Sequence, residues 1–385
     1  MIPYARQTIS DADIDAVIDV LKSDRLTQGP RIEAFEEAFA AFCGARHAVA
    51  VSNGTAALHL AAISAGIEPG RRLWTSPVTF VASANCALYC GGEVDFVDVD
   101  QKDGNMSVPA LTAKLKAAEN DGTLPDVVVP VHLGGHSCDM AAIGALADQY
   151  GFRVIEDASH ALGGRYADAP VGACVHSEMT TFSFHPVKII TTGEGGMVTC
   201  NDADTARRLR RLRSHGITRD PSETGTPFTG GWDYHQLELG YNYRITDLQA
   251  ALGLSQLGRV KAFIDRRHLI ARRYDEAFAD LPLDLPARRQ DTLSAFHLYV
   301  VRLREGATAL DRKAFYDELH RRGIAVQIHY IPVHTQPFYH SLGFREGDFP
   351  NAEAFYSSCL SLPMYADLTE HQQDIVVSAV HEILS

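Results

Sequence analysis

The sequence predicts an α/β fold, with a large, mainly parallel sheet domain followed by a smaller C-terminal α+β unit. Three observations carry this expectation. Between residues 47 and 200, short apolar runs alternate with helical stretches of about ten residues or more, the pattern of βαβ units. Beyond residue 246 the order changes to a long helical stretch and then a mixture of strands and helices. Hydrophobic residues make up 46% of the 385-residue chain, enough for a sizeable core and too many for disorder.

Residues 10–22, "SDADIDAVIDVLK", predict a helix capped by Ser10, with acids in its first turn and Ile14, Val17, Ile18 and Leu21 on one apolar face. "DRLTQGP" interrupts the pattern, and a second helix is expected over about 31–42. Strand 47–52, helix 54–66, strand 72–76, helix 81–91 and strand 93–100 come next. They are followed by helix 108–119, strand 126–132, the helix "MAAIGALADQYG" and strand 152–157. "MTTFSF" (179–184) and "GMVTC" (196–200) add two strands, and 203–213 an Arg-rich helix. Residues 216–234, rich in Gly, Pro and Thr, read as a loop. A helical stretch over about 246–278 joins two units. The expected division is 1–260, including an N-terminal arm over 1–30, and 261–385.

The formal charge is −13, which disfavours nucleic-acid binding because no basic surplus exists to release counterions. The N-terminus lacks the pattern of a signal peptide, and no apolar run reaches the roughly 20 residues of a membrane span. Seven scattered cysteines with no CxxC pair read as reduced thiols of a cytoplasmic protein, and no metal site is expected from them. His329, His334 and His340 match no zinc spacing either.

Ligands of parallel sheets gather at the carboxyl ends of the strands. "SNGTAALHL" (52–60) follows a strand and opens a helix, so Gly54 and Thr55 offer an anion cradle or an ordinary helix cap. "VIEDASHALG" (154–163) puts Asp157 just past a strand, as a partner for a ligand cation or as a cap, with His160 three residues on. In "FSFHPVKIITTGEGGMVTC" (182–200), Pro186 argues against a helix, so Lys188 sits on an irregular link near Gly turns. Alone, it is a surface Lys or a candidate imine-forming amine. Ser183 is a second hydroxyl in reach of a phosphate, and His185 reads as structural. Together, an anion cradle, a strand-end acid and a Lys are the anchors pyridoxal phosphate needs, with Phe80 available for a ring face.

At these residues the chain resembles the DegT/DnrJ/EryC1/StrS family of nucleotide-sugar aminotransferases. The motifs are "SNGTAAL", "SPVTFVASAN", "VIEDASHALG", "TFSFHPVKIITTGEGGMV" and "GYNYRITDLQAALG". The resemblance runs over essentially the whole chain and implies the type I, aspartate-aminotransferase-like fold with pyridoxal 5'-phosphate as cofactor. It implies Lys188 as the imine Lys, Asp157 on the pyridine nitrogen, His160 near the 3-hydroxyl and Phe80 stacked on the ring. Gly54, Thr55, Ala56 and Ser183 are implied for the phosphate, and Asn242 reaches it from the other subunit of a homodimer. Relatives often have Gln where this chain has His160. Substrate contacts are implied for Tyr4, for Asp24, Arg25, Leu26 and Thr27, and for His329, Tyr330, Ile331 and Pro332.

"DRLTQGP", "LRSHGITRDP", "QIHYIPVHTQPFY" and "LSLPMY" resemble the branch that serves pseudaminic acid biosynthesis. The substrates implied are L-glutamate and a UDP-4-keto-6-deoxy-N-acetyl-hexosamine. A transaminase for a perosamine or 4-amino-arabinose type of sugar is the alternative. Sugar dehydratases of this fold typically carry His at the position of Lys188.

Overall fold

A computed structural model describes residues 1–225, 227–308 and 310–384. Its centre is a seven-stranded sheet of β1 (His47–Val51), β2 (Arg72–Thr75), β3 (Glu93–Phe96), β4 (Val127–Val129), β5 (Arg153–Asp157), β6 (Met179–Ser183) and β7 (Gly196–Cys200). The spatial order is β1-β7-β6-β5-β4-β2-β3. Only β7 runs against its neighbours, pairing antiparallel with both β1 and β6. The remaining pairings are parallel. These strands are mostly apolar because helices cover both faces of the sheet.

The helices of this part are α1 (Asp11–Leu21), α2 (Pro30–Cys43), α3 (Gly54–Ser64), α4 (Ala82–Tyr89), α5 (Val108–Asp121), α6 (Met140–Tyr150) and α7 (Ala203–Leu212). Local sequence sets their ends. Ser10 caps α1 in a reciprocal box with Asp13, Asn53 caps α3, and α2 and α6 stop at left-handed Gly44 and Gly151.

The apolar face expected of α1 is only partly turned to the core, with Val17 and Ile18 half-buried. Ile14 and Leu21 are 48% and 57% exposed, while Asp13 and Val20 are buried. The cause is Asp13, whose carboxylate accepts from Ser255 Oγ (2.6 Å) and Gln256 Nε2 (2.9 Å) and pairs with Arg259. That network turns the polar edge inward.

The helical stretch expected over 246–278 is two helices, α8 (Asp247–Leu257) and α9 (Val260–Phe278), broken at Gly258–Arg259. The first turns of α9 put Val260, Phe263 and Ile264 into a core with Phe35, Phe39 and Phe184. Its later turns put Ile270, Tyr274 and Phe278 into a second core. That core lies against a three-stranded sheet of Leu283–Asp284, Tyr299–Leu303 and Cys359–Leu362, with helices Arg312–Arg321 and Glu370–Leu384. The N-terminus joins this second core, where Ile2 bridges Ile324. The described residues of 216–234 are mainly irregular, as expected, with a two-residue strand at Ile217–Thr218 and one helical turn at Pro221–Thr224. All seven cysteines are free, and only Cys90 is not fully buried.

Candidate active site

The carboxyl ends of β5 and β6, the start of α3, the turn before α4 and the segment 327–336 enclose a cavity of about 580 Å³. A second cleft of about 630 Å³ beside α2 holds Arg46, Arg210, Arg213 and Arg244, but Glu36 already pairs with Arg210 and Arg213. The convergent chemistry is in the first cavity.

Lys188 lies on its wall, on the link between β6 and β7. This link is held by local bonds. Lys188 N donates to His185 O at 2.8 Å, and Thr192 N and Thr191 Oγ1 both donate to Phe184 O, at 3.1 and 3.0 Å. Gly193 takes a positive φ of 78°, where a side chain would be strained. Buried Ile189 and Ile190 anchor the segment. Among the described residues, the Lys188 amine has no hydrogen-bond or ion-pair partner. Desolvation lowers it to about 8, against the opposing pull of the Asp157 carboxylate.

Asp157 ends β5 and is 5% exposed. Its Oδ1 accepts from Ser159 N at 3.0 Å and Ser159 Oγ at 2.6 Å, and its Oδ2 from Ser83 Oγ at 2.6 Å. Three lone-pair positions are used and one is left.

At the anion end, Asn53 caps α3, and no partner among the described residues takes the N–H groups of Gly54 and Thr55. Ser183 stands opposite. A Cβ on Gly54 would come within 2.9 Å of Ser183 Cβ, so only glycine allows the helix start to sit this close to β6. Ala56 is a correction. Its N–H is donated to Asn53 Oδ1 at 2.8 Å, it is buried, and it does not line the cavity.

Histidines and aromatic rings make another wall. His160 Nδ1 accepts from Gly134 N (3.2 Å), so its Nε2–H donates to Tyr330 Oη (3.1 Å). The His160 ring lies 4.5 Å from that of His297 and stacks on Tyr330. Burial, and then the charge of Lys188, hold His329 at about 3, and burial keeps His160 and His297 well below the usual range. These rings are neutral. Phe80 is 58% exposed, 6.3 Å from Tyr330, and Tyr4 lies 5.5 Å from His329.

The cavity therefore brings together Tyr4, Gly54, Thr55, Phe80, Asp157, His160, Ser183, Lys188, His329, Tyr330 and Ile331. It does not bring in Asp24, Arg25, Leu26, Thr27 or Asn242, which are exposed elsewhere on the chain, nor the buried Pro332. His185, read as structural, lines the cavity. Sequence reasoning missed Thr79, Ser83, Ser159, His297 and Gln327. Ser159 and Ser83 lie inside quoted motifs, "EDASH" and "TFVAS", and a search for hydroxyls beside the strand-end acid would have found Ser159. His297, in "AFHLYVV", carried no local signal.

The set fits pyridoxal phosphate on the geometry alone. An amine without a partner, a carboxylate with one free acceptor position and two unbonded helix-start amides facing a serine share one cavity. The pattern of the DegT/DnrJ/EryC1/StrS aminotransferase family matches residues 7–381. The chain belongs to that family. It is thereby a pyridoxal-phosphate-dependent sugar aminotransferase of the type I fold. The spore coat polysaccharide biosynthesis protein SpsC of Bacillus subtilis is 40% identical, covering 100% of this chain and 97% of its own. The UDP-4-amino-4,6-dideoxy-N-acetyl-beta-L-altrosamine transaminase of Campylobacter jejuni (serotype O:23/36) is 37% identical, with 100% and 98% covered. Among solved structures, the putative sugar aminotransferase Spr1654 of Streptococcus pneumoniae in its PMP form superposes with a TM-score of 0.90. It is 28% identical, with 100% of this chain and 99% of that one covered. Among the described residues no cluster of side chains could hold a metal ion, and no helix is long and apolar enough to cross a membrane.

Proposed function

We propose that this family member transfers an amino group from L-glutamate to the C4 keto carbon of a UDP-4-keto-6-deoxy-N-acetyl-hexosamine. The product is UDP-4-amino-4,6-dideoxy-N-acetyl-β-L-altrosamine, for pseudaminic acid biosynthesis. The observation that carries the chemistry is Lys188, an unpaired amine lowered to about 8 in the cavity that Asp157 also lines. The Campylobacter relative supports the sugar. The 40% identity to the spore coat protein favours a second reading, a 4-aminotransferase for a different nucleotide sugar.

When bound, pyridoxal phosphate supplies a carbon that attaches to amines and a ring that accepts electrons from the neighbouring carbon. Lys188 Nζ is the attachment point. Once free, it would take a proton from the substrate carbon and deliver it to the cofactor's attached carbon, as general base and then acid. Asp157, with one acceptor position left on Oδ2, would partner the ring nitrogen and keep its proton in place. The N–H groups of Gly54 and Thr55, with the Thr55 and Ser183 hydroxyls, hold the phosphate at the start of α3. Phe80 would cover one ring face and His160 would orient the ring oxygen. Tyr4, His329, Tyr330 and Ile331 line the side where the sugar enters.

The active site is shared in a homodimer. Asn242 is exposed outside its own chain's cavity, and Asp24–Thr27 are also on the surface. Apolar Ile14, Leu21, Trp232 and Leu239 are exposed, with Trp232 at 76% and Leu239 at 79%, and a second copy would cover such side chains. In this reading Asn242 of one chain reaches the phosphate end of the other's cavity. The chain divides into a cofactor domain over 1–260, with its arm over 1–30, and a small domain over 261–385, with α9 spanning both cores.

The test is incubation of the holoenzyme with glutamate and candidate UDP-4-keto sugars, with products identified by mass spectrometry. Amination of the altrosamine precursor is expected. Amination of another keto sugar alone establishes the second reading. Failure of borohydride to fix the cofactor on Lys188 overturns both.

A further inference from the structure

We propose that Thr79 and Ser83 form a one-way hydroxyl relay that decides where the proton sits between Asp157 and the ring nitrogen of the cofactor. The proposal rests on the reading of Asp157 as the ring-nitrogen partner. It makes Ser83 and Thr79 positioning residues, acting through Asp157.

The direction of the relay follows from counting hydrogens. Ser83 has a single hydroxyl hydrogen. Two acceptors compete for it: Asp157 Oδ2 at 2.6 Å and the Phe80 carbonyl at 3.3 Å. The short contact to a charged oxygen takes it. Ser83 Oγ is then only an acceptor towards Thr79 Oγ1, which lies 2.8 Å away. Thr79 therefore donates to Ser83, and Ser83 to Asp157. Both residues are buried, Thr79 at 3% exposure and Ser83 at 1%. Ser83 is not a helix cap. It sits inside α4, whose N-cap residue Val81 makes no side-chain cap bond.

The count at Asp157 is equally restrictive. Ser159 fills both positions on Oδ1. The relay fills one of the two on Oδ2, leaving a single acceptor position. Each donor satisfies one lone pair of the carboxylate, and successive hydrogen bonds in one sense reinforce each other. With three positions filled, Asp157 has one place left, for a hydrogen bond from the ring nitrogen, and the proton stays on the nitrogen. Without the Ser83 hydroxyl, Oδ2 loses a donor and draws the proton from the nitrogen onto itself to replace it.

The test uses holoenzyme carrying a cofactor labelled with nitrogen-15 in the ring, read by NMR as pH is varied, beside steady-state kinetics. In the parent the nitrogen is protonated. In Ser83→Ala the resonance moves towards unprotonated pyridine. Losing one hydrogen bond to a charged group lowers kcat about tenfold, with KM for the amino donor little changed. Thr79→Val, which removes the hydroxyl at constant volume, moves both readouts the same way by less, and Thr79→Ser restores them. Parent resonances in Ser83→Ala and Thr79→Val overturn the relay. If Ser83→Ala does not fold, Thr79→Val decides alone. Asp157→Asn separates the two ideas. If it keeps a protonated nitrogen and parent activity, the reading of Asp157 fails. If it loses both while the hydroxyl variants keep both, the relay alone fails.

Discussion

Lys188 is the residue whose environment has the plainest measurable consequences. Lys188→Ala is expected to abolish turnover while its circular dichroism spectrum matches the parent's; substantial remaining transamination would remove Lys188 from the mechanism. A second consequence appears in the protein without cofactor. The folded amine titrates at about 8, against an ordinary 10.5. Below pH 8 it is charged in both folded and unfolded chains, and burial penalises the folded one. Between 8 and 10.5 the unfolded chain binds more protons, so stability rises with pH as the penalty is relieved. Lys188→Met therefore raises the melting temperature of the apoprotein at neutral pH, and the gain shrinks as pH rises through 8 towards 10.5. A gain that does not vary with pH would show that the amine is not desolvated. Single residues were partly legible in the sequence. Lys188 stood out by its order after "NGTAA" and "EDASH", and Ser83 lay three residues after Phe80 in a quoted motif without showing its contact to Asp157, whereas nothing near His297 tied it to the same cavity.

At the scale of elements, α1 shows both what local pattern reveals and what it hides. Its cap was legible, because Ser10 and Asp13 are three residues apart and their box is a local structure. Its inward face was not. The apolar stripe is outweighed by a buried carboxylate whose partners lie over 240 residues further on. Burial raises the Asp13 carboxyl, but hydrogen bonds from Ser255 and Ser10 and the charge of Arg259 outweigh it and hold the group below its ordinary 3.8. Its stabilisation is present above that pH and lost as pH falls through the lowered value. Asp13→Asn is expected to cost about 2 kcal/mol at neutral pH, measured by denaturant unfolding, and to converge with the parent in acid. Equal stability at neutral pH would show that the network does not anchor α1. Ser10→Ala is expected to cost about 1 kcal/mol through loss of the cap. The break between α8 and α9 was missed for a similar reason, since apolar periodicity continues across Gly258 while the backbone turns.

For the whole molecule, the proposed homodimer with shared active sites makes a prediction that one chain cannot satisfy. Lys188→Ala and Asn242→Ala are each expected to be impaired as homodimers. Unfolded together and refolded, they form mixed dimers in which one site carries both lesions and the other neither. Random pairing restores about a quarter of the sites. No recovery over the two parents' own activity would place Asn242 in its own chain's site or outside any site.

By itself the sequence determined the alternation of strands and helices, the family, the cofactor and the positions of Lys188, Asp157, Thr55 and Ser183. These are carried by local pattern and by motifs contiguous in the chain. Tertiary structure alone decided that Ser83 and Ser159 meet on one carboxylate and that His297 backs His160. It also decided that the Ala56 amide is used up by Asn53 and that α1 turns Ile14 and Leu21 outward and Asp13 inward. Each of these depends on which strand ends become neighbours and on how many hydrogen bonds an atom can make. Short-range residue pattern encodes the first only indirectly, and the second becomes countable only once the atoms are in place.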